Sequence, residues 1–215
     1  MRRNYQSKTL FFLPVLFLSI GLNRIDVNQE YWRGALNLTS GVKIGQTFKV
    51  GHNNLNMIKL LANNMKLQNK DRIVFHLKEA GQNNDLAIIN LSGGNVGENF
   101  ILRLQFTPIK DSAGKNFYFY LEGKEGESLT PIEIHYNADD VYHQGEAMVD
   151  GKPVPGDLFF RTYYRASFIE GLAGSLFDFK TSFLKEKDFA MAYLLTILGF
   201  GVLSAINFAK RKPLS

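Results

Sequence analysis

At 215 residues the chain has room for one core of ordinary size plus extra segments, and its lack of cysteine excludes disulfides, zinc–thiolate sites and a thiol nucleophile. The formal net charge of +5 would suit a nucleic-acid partner, but Arg2, Arg3, Lys8, Lys210, Arg211 and Lys212 sit at the two ends, and without them the remainder is +5 − 6 = −1. That leaves no basic groove to follow phosphates, so nucleic acid is excluded as a partner and the basicity reads as membrane topology.

The first element is the apolar run TLFFLPVLFLSIGL, residues 9–22. It is short for a full span and sized like the hydrophobic region of a signal peptide, with Ser19 and Gly21 supplying small residues for a cut after Gly21. An uncleaved anchor lengthened by a snorkelling Lys8 is the alternative. Residues 1–23 are therefore expected to be a signal or signal-anchor segment.

Residues 24–165 are expected to form an extracytoplasmic domain that is mainly β, an antiparallel β-sandwich of about nine strands, jelly-roll-like. The predicted strands are 35–39, 42–50, 55–62, 72–78, 86–91, 99–106, 116–121, 131–136 and 158–164. In IVFHLKE the apolar Ile73, Phe75 and Leu77 alternate with Val74, His76 and Lys78, and in PIEIHY Ile132 and Ile134 alternate with Glu133 and His135. Such a period of two gives each strand a core face and a wetter face. His76 and His135 fall on the wetter face, where an ordinary solvent-facing histidine is expected. The breaks, rich in Gly, Asn, Asp and Ser, carry turn chemistry. Residues 137–157, with Pro153 and Pro155, are expected to be the longest irregular loop and the place for function by length.

The row Phe117, Tyr118, Phe119, Tyr120 follows the turn Asp111-Ser112-Ala113-Gly114-Lys115. Alternation sends Phe117 and Phe119 to the core and Tyr118 and Tyr120 to the opposite face. The candidate ligand-binding residues are Tyr118, Tyr120, Tyr136, Asp140, Tyr142 and His143: flat aromatics suit sugar rings, and acids and an imidazole suit sugar hydroxyls. Trp32, the sole tryptophan, is a further platform or a headgroup-level anchor. The competing reading makes the tyrosines cross-strand pairs and the loop acids a solvated turn. Asp139-Asp140 lacks the spaced register of a calcium loop, so no metal and no cofactor is expected. There is no G-x-S-x-G, H-E-x-x-H or Walker motif, so the domain is expected to be non-catalytic; a converging pair of carboxylates, as in a glycoside hydrolase, is the enzymatic alternative.

Residues 166–188 place Phe168, Leu172, Leu176, Phe179 and Phe183 at spacings of three and four, the pattern of an amphipathic juxtamembrane helix. Residues 189–209 carry no charge and span roughly 30 Å as a helix, enough to cross the bilayer. Gly201 and Ala205 form a small-xxx-small pair that would admit another membrane protein's helix. The basic tail, 210–215, belongs on the cytoplasmic side by the positive-inside rule, which puts the sandwich outside the cell membrane.

Three fragments carry a resemblance: SGVKIGQTF at 40–48 followed by NNLNMIKLL, then FTPIKDSAGKNFYFYLE, then VYHQGE followed by GDLFFRTYY. Over residues 35–164 the chain resembles the membrane-anchored, jelly-roll and carbohydrate-binding-like β-sandwich modules of bacterial cell-envelope proteins, sometimes attached to polytopic glycosyltransferase-type membrane proteins. The resemblance implies binding of glycan or of an envelope partner. It implies no catalytic residues, because the catalytic transmembrane bundle of the fused versions is missing here. An accessory subunit of a larger membrane complex is the alternative.

Overall fold

The computed structural model describes residues 22–166 apart from Glu125 and Glu127. The transmembrane segment, the juxtamembrane helix, the basic tail and the Gly201/Ala205 pair lie outside the described residues, as does nearly all of the leader. Among the described residues no helix is long and apolar enough to cross a membrane.

The described residues form two antiparallel sheets packed as a sandwich. Sheet I contains β1 (Leu22–Gln29), β2 (Gly34–Leu38), β4 (Leu55–Asn63), β7 (Phe100–Ile109), β9 (Ile132–Asn137), β12 (Asp157–Leu158) and β13 (Phe160–Ala166). Sheet II contains β3 (Lys43–Lys49), β5 (Arg72–Glu79), β6 (Asp85–Ser92), β8 (Asn116–Gly123), β10 (Ala147–Val149) and β11 (Lys152–Val154), in the order β11-β10-β3-β8-β5-β6. In sheet I, β4 is bordered by β7 on one side and by β13 and β9 on the other; β1 then pairs with β13, and β2 and β12 with β9.

Each of the nine predicted strands is present, as β2 to β9 and β13, and β1, β10, β11 and β12 are additional. β1 escapes a period-two reading because its register with β13 shifts between Ile25 and Asn28. The segment 137–157, expected to be irregular, holds the hairpin β10–β11. Its turn is Asp150-Gly151, with φ of 50° and 74°, the pair of positive φ angles that a two-residue hairpin turn demands.

The alternation explains the core. Ile44, Phe48, Phe75, Leu77, Phe117, Phe119 and Leu121 come from sheet II, and Ile58, Leu60, Leu102, Leu104, Ile132, Ile134 and Phe160 from sheet I. Phe48 lies at the centre, its ring centroid 5.9 Å from Phe117, 5.8 Å from Phe119 and 5.9 Å from Phe160. On the opposite face of β3 Gly45 is required, since a Cβ there would meet the Phe119 carbonyl and the Tyr118 ring. Leu22 is the register partner of Ala166, so the chain enters and leaves the sandwich side by side.

Candidate functional site

The tyrosines singled out from sequence are largely occupied by their own neighbours. Tyr118 and Tyr120 stand on the outward face of sheet II, as the alternation predicts, but Tyr120 is only 8% exposed. Its ring stacks on His76 at 4.5 Å and on Tyr118 at 5.3 Å, and the ammonium groups of Lys43 and Lys78 lie 5.7 and 5.5 Å from its centroid. Burial, then the neighbouring Tyr120 and Asp150, push the Tyr118 hydroxyl up to about 12. His76 Nδ1 lies 2.9 Å from Asp85 and its Nε2 3.5 Å from Glu122. A hydrogen bond from Lys124 holds the Glu122 carboxyl below its usual range, against its burial and with help from the Lys124, Lys43 and His76 charges. A sugar ring needs a free aromatic face, and this network uses those faces internally.

Tyr136 and Tyr142 pack against the core edge. The Tyr136 hydroxyl donates to the Pro155 carbonyl. The Tyr142 ring meets Phe160 edge-on at 5.4 Å, and its hydroxyl accepts from the Lys49 N–H at 3.0 Å. Asp140 and His143 are exposed on the same loop, with Oδ1 and Nδ1 3.4 Å apart. Asp140 and Glu146 also line an open groove of about 430 Å³ walled by Pro153 and Pro155. The structure therefore brings Tyr118 to Tyr120 and Asp140 to His143 but does not gather the six candidates into one site.

A different constellation stands on the outward face of sheet I. Trp32, in the link between β1 and β2, is 46% exposed and lays its ring 4.2 Å from the imidazole of His135 at an angle of 59°. His135, expected to face solvent, is only 4% exposed. Its Nε2 lies 3.2 Å from Asn99 Oδ1, while its Nδ1 is buried with no hydrogen-bond partner. Asn99, held at a left-handed φ of 47°, donates its backbone N–H to Asn63 Oδ1, and Asn63 Nδ2 donates to Glu133 at 2.7 Å. An indole face, an imidazole, two amides and a carboxylate thus adjoin one another.

Farther along the same face, Lys59 of β4 stands in register with Arg103 of β7 and Arg161 of β13. The Lys59 ammonium lies 4.4 Å from the Tyr163 ring centroid, and Arg161 pairs with Glu30. Burial raises the Tyr163 pKa, but hydrogen bonds from Lys59 and Arg161 and their charges outweigh it, leaving the phenol below its ordinary value. Among the described residues no three His, Asp or Glu side chains are placed to hold a metal ion.

Burial pushes the His135 pKa below the usual histidine value, and the Glu133 charge only partly opposes it. The folded protein therefore keeps His135 neutral where the unfolded chain, titrating near about 6.5, takes up a proton. The stability from this group is full above that pH and is lost as pH falls through it toward the folded value. Unfolding midpoints of the wild type are expected to drop more than those of His135→Gln between about pH 7.5 and about pH 5.5; parallel drops would contradict the burial argument.

No family model matches the chain, and no curated protein matches it significantly.

Proposed function

We propose that the chain is a membrane-tethered, extracytoplasmic carbohydrate-binding module of jelly-roll-like type, non-catalytic, whose glycan lies against Trp32. The observation that carries this is the half-exposed indole backed by His135, whose buried Nδ1 lacks a partner. Binding sites of this kind offer a flat apolar surface with a few convergent polar groups that fix orientation. Here the polar groups are His135, Asn99, Asn63 and Glu133. The tether rests on the apolar runs 9–22 and 189–209 flanked by basic residues, with the bilayer as the partner they imply.

The test is a glycan array probed with the full chain in mild detergent. Binding to a subset of glycans is expected, weakened at least about tenfold by Trp32→Ala through loss of the stacking surface. A wild-type chain that binds no glycan would overturn the reading.

The accessory-subunit reading has one observation in its favour. In the link after β4, Lys66 and Leu67 both adopt a left-handed φ of 54°, a strain of about 1–3 kcal/mol each that a ligand or partner surface would account for. The strained link leaves Met65 and Leu67 exposed, and it is tied to the segment carrying the fully exposed Leu129 through the Asn69 amide, which donates to the Thr130 carbonyl. A detergent pull-down that recovers only this chain would count against it.

A further inference from the structure

We infer that the ligand is an anionic glycan, whose carboxylate or phosphate is held by Arg103, Lys59 and Arg161 while a sugar ring stacks on Trp32; this rests on the glycan reading above. The three cations are direct cross-strand neighbours on the outward face of sheet I, Lys59 facing Arg103 on one side and Arg161 on the other. Like charges directly opposite each other on a sheet destabilise it, and a bound anion would relieve that cost. The intrinsic neutralisation is incomplete. Glu30 pairs with Arg161, but among the described residues no carboxylate lies within ion-pair distance of Lys59 or Arg103.

Two further observations point the row at a ligand. The Arg161 Nε is buried without a hydrogen-bond partner, so Glu30 and Tyr163 leave this guanidinium, a group suited to forked recognition of a carboxylate or phosphate, incompletely satisfied. Met57 and Tyr163 beside the row are buried, so the charges sit against a low-dielectric floor where an added anion is held more strongly than at an open surface.

The spacing joins the two halves of the site. Lys59, Leu61 and Asn63 alternate along β4 at about 6.8 Å per pair of residues. His135 falls beside Leu61, because Ala62 is the register partner of Ile134. The cation row and the Trp32–His135 pair therefore occupy neighbouring rows of one face, within reach of a single oligosaccharide.

The test uses the full chain in zwitterionic nanodiscs on an array that pairs uronate-, sialic-acid- and phosphate-bearing glycans with neutral glycans, including oligogalacturonate and its methyl ester. Charged glycans are expected to bind at least about tenfold more tightly than neutral ones, with affinity falling as salt rises. The double variant K59Q/R103Q is expected to lose that margin, while K59R/R103K retains it. Equal binding of free acid and ester, or charge preference untouched by K59Q/R103Q, would overturn this inference and leave the glycan reading standing. Absence of binding to every glycan would overturn both. Full displacement of the glycan by phosphatidylglycerol vesicles would assign the row to lipid headgroups and also overturn the inference.

Discussion

Replacing Phe48 with alanine is expected to lower the stability of the sandwich by about 3–5 kcal/mol, a large part of the roughly 5–15 kcal/mol that holds a domain folded. Phe48 is fully buried and, among the described residues, is the one ring within 6 Å, centroid to centroid, of Phe117 and Phe119 across sheet II and of Phe160 from sheet I. Truncation removes the apolar transfer energy and leaves a cavity walled by three rigid rings, which cannot collapse to fill it. Denaturant unfolding of the full chain in mild detergent, followed by tryptophan emission, measures the loss. A change below about 1 kcal/mol would show that the two sheets do not pack through this cluster.

Asp157→Ala is expected to be nearly as damaging, for a polar reason. Asp157 is fully buried, and its carboxylate accepts from Gln46 Nε2 at 2.9 Å, the Val141 N–H at 2.9 Å and the Tyr142 N–H at 2.8 Å. Gln46, itself buried in β3, accepts in turn from the Leu158 N–H at 3.0 Å, so the pair ties sheet II to sheet I. Alanine takes the acceptor from two half-buried loop amides and leaves Gln46 Nε2 with the Thr47 carbonyl alone at 3.2 Å, and a buried donor left unsatisfied costs about 1–3 kcal/mol. The Val141 and Tyr142 amides are expected to exchange hydrogen much faster in the variant, with Asp157→Asn intermediate because its amide oxygen still accepts. Unchanged exchange at those two amides would mean that the loop is fastened elsewhere.

Much of the fold was legible because its strands obey a simple rule. In β8 and β9 the core-facing residues alternate cleanly, as they do in β5 apart from the buried Val74, and turn residues bound each run, so the core faces follow from the sequence. β3 is harder to read, with Gly45 and Gln46 at its centre. Gln46 is buried because Asp157, far along the chain, supplies its partner, and no local pattern announces that. β12 is two residues long, below what periodicity can resolve, whereas the β10–β11 hairpin did carry a signal in Asp150-Gly151.

The candidate site was less legible, and for a related reason. Alternation correctly turns Tyr118 and Tyr120 away from the core, but the groups that cover them, His76, Lys43 and Lys78, belong to β5 and β3. Whether an outward tyrosine is free depends on cross-strand register, which a single strand does not reveal. Trp32 and His135 illustrate the converse. Alone, Trp32 reads as a platform or a headgroup anchor and His135 as a solvent-facing histidine, and they meet because β2 pairs with β9, Ala35 facing His135.

Trp32 is the sole tryptophan, so its emission reports the proposed site without interference. The most direct measurement is a fluorescence titration of the full chain in mild detergent with glycans that it binds on the array. A saturable change in Trp32 emission is expected, with a midpoint matching the independently measured affinity. Binding that saturates while Trp32 emission stays unchanged would place the ligand elsewhere and contradict the assignment.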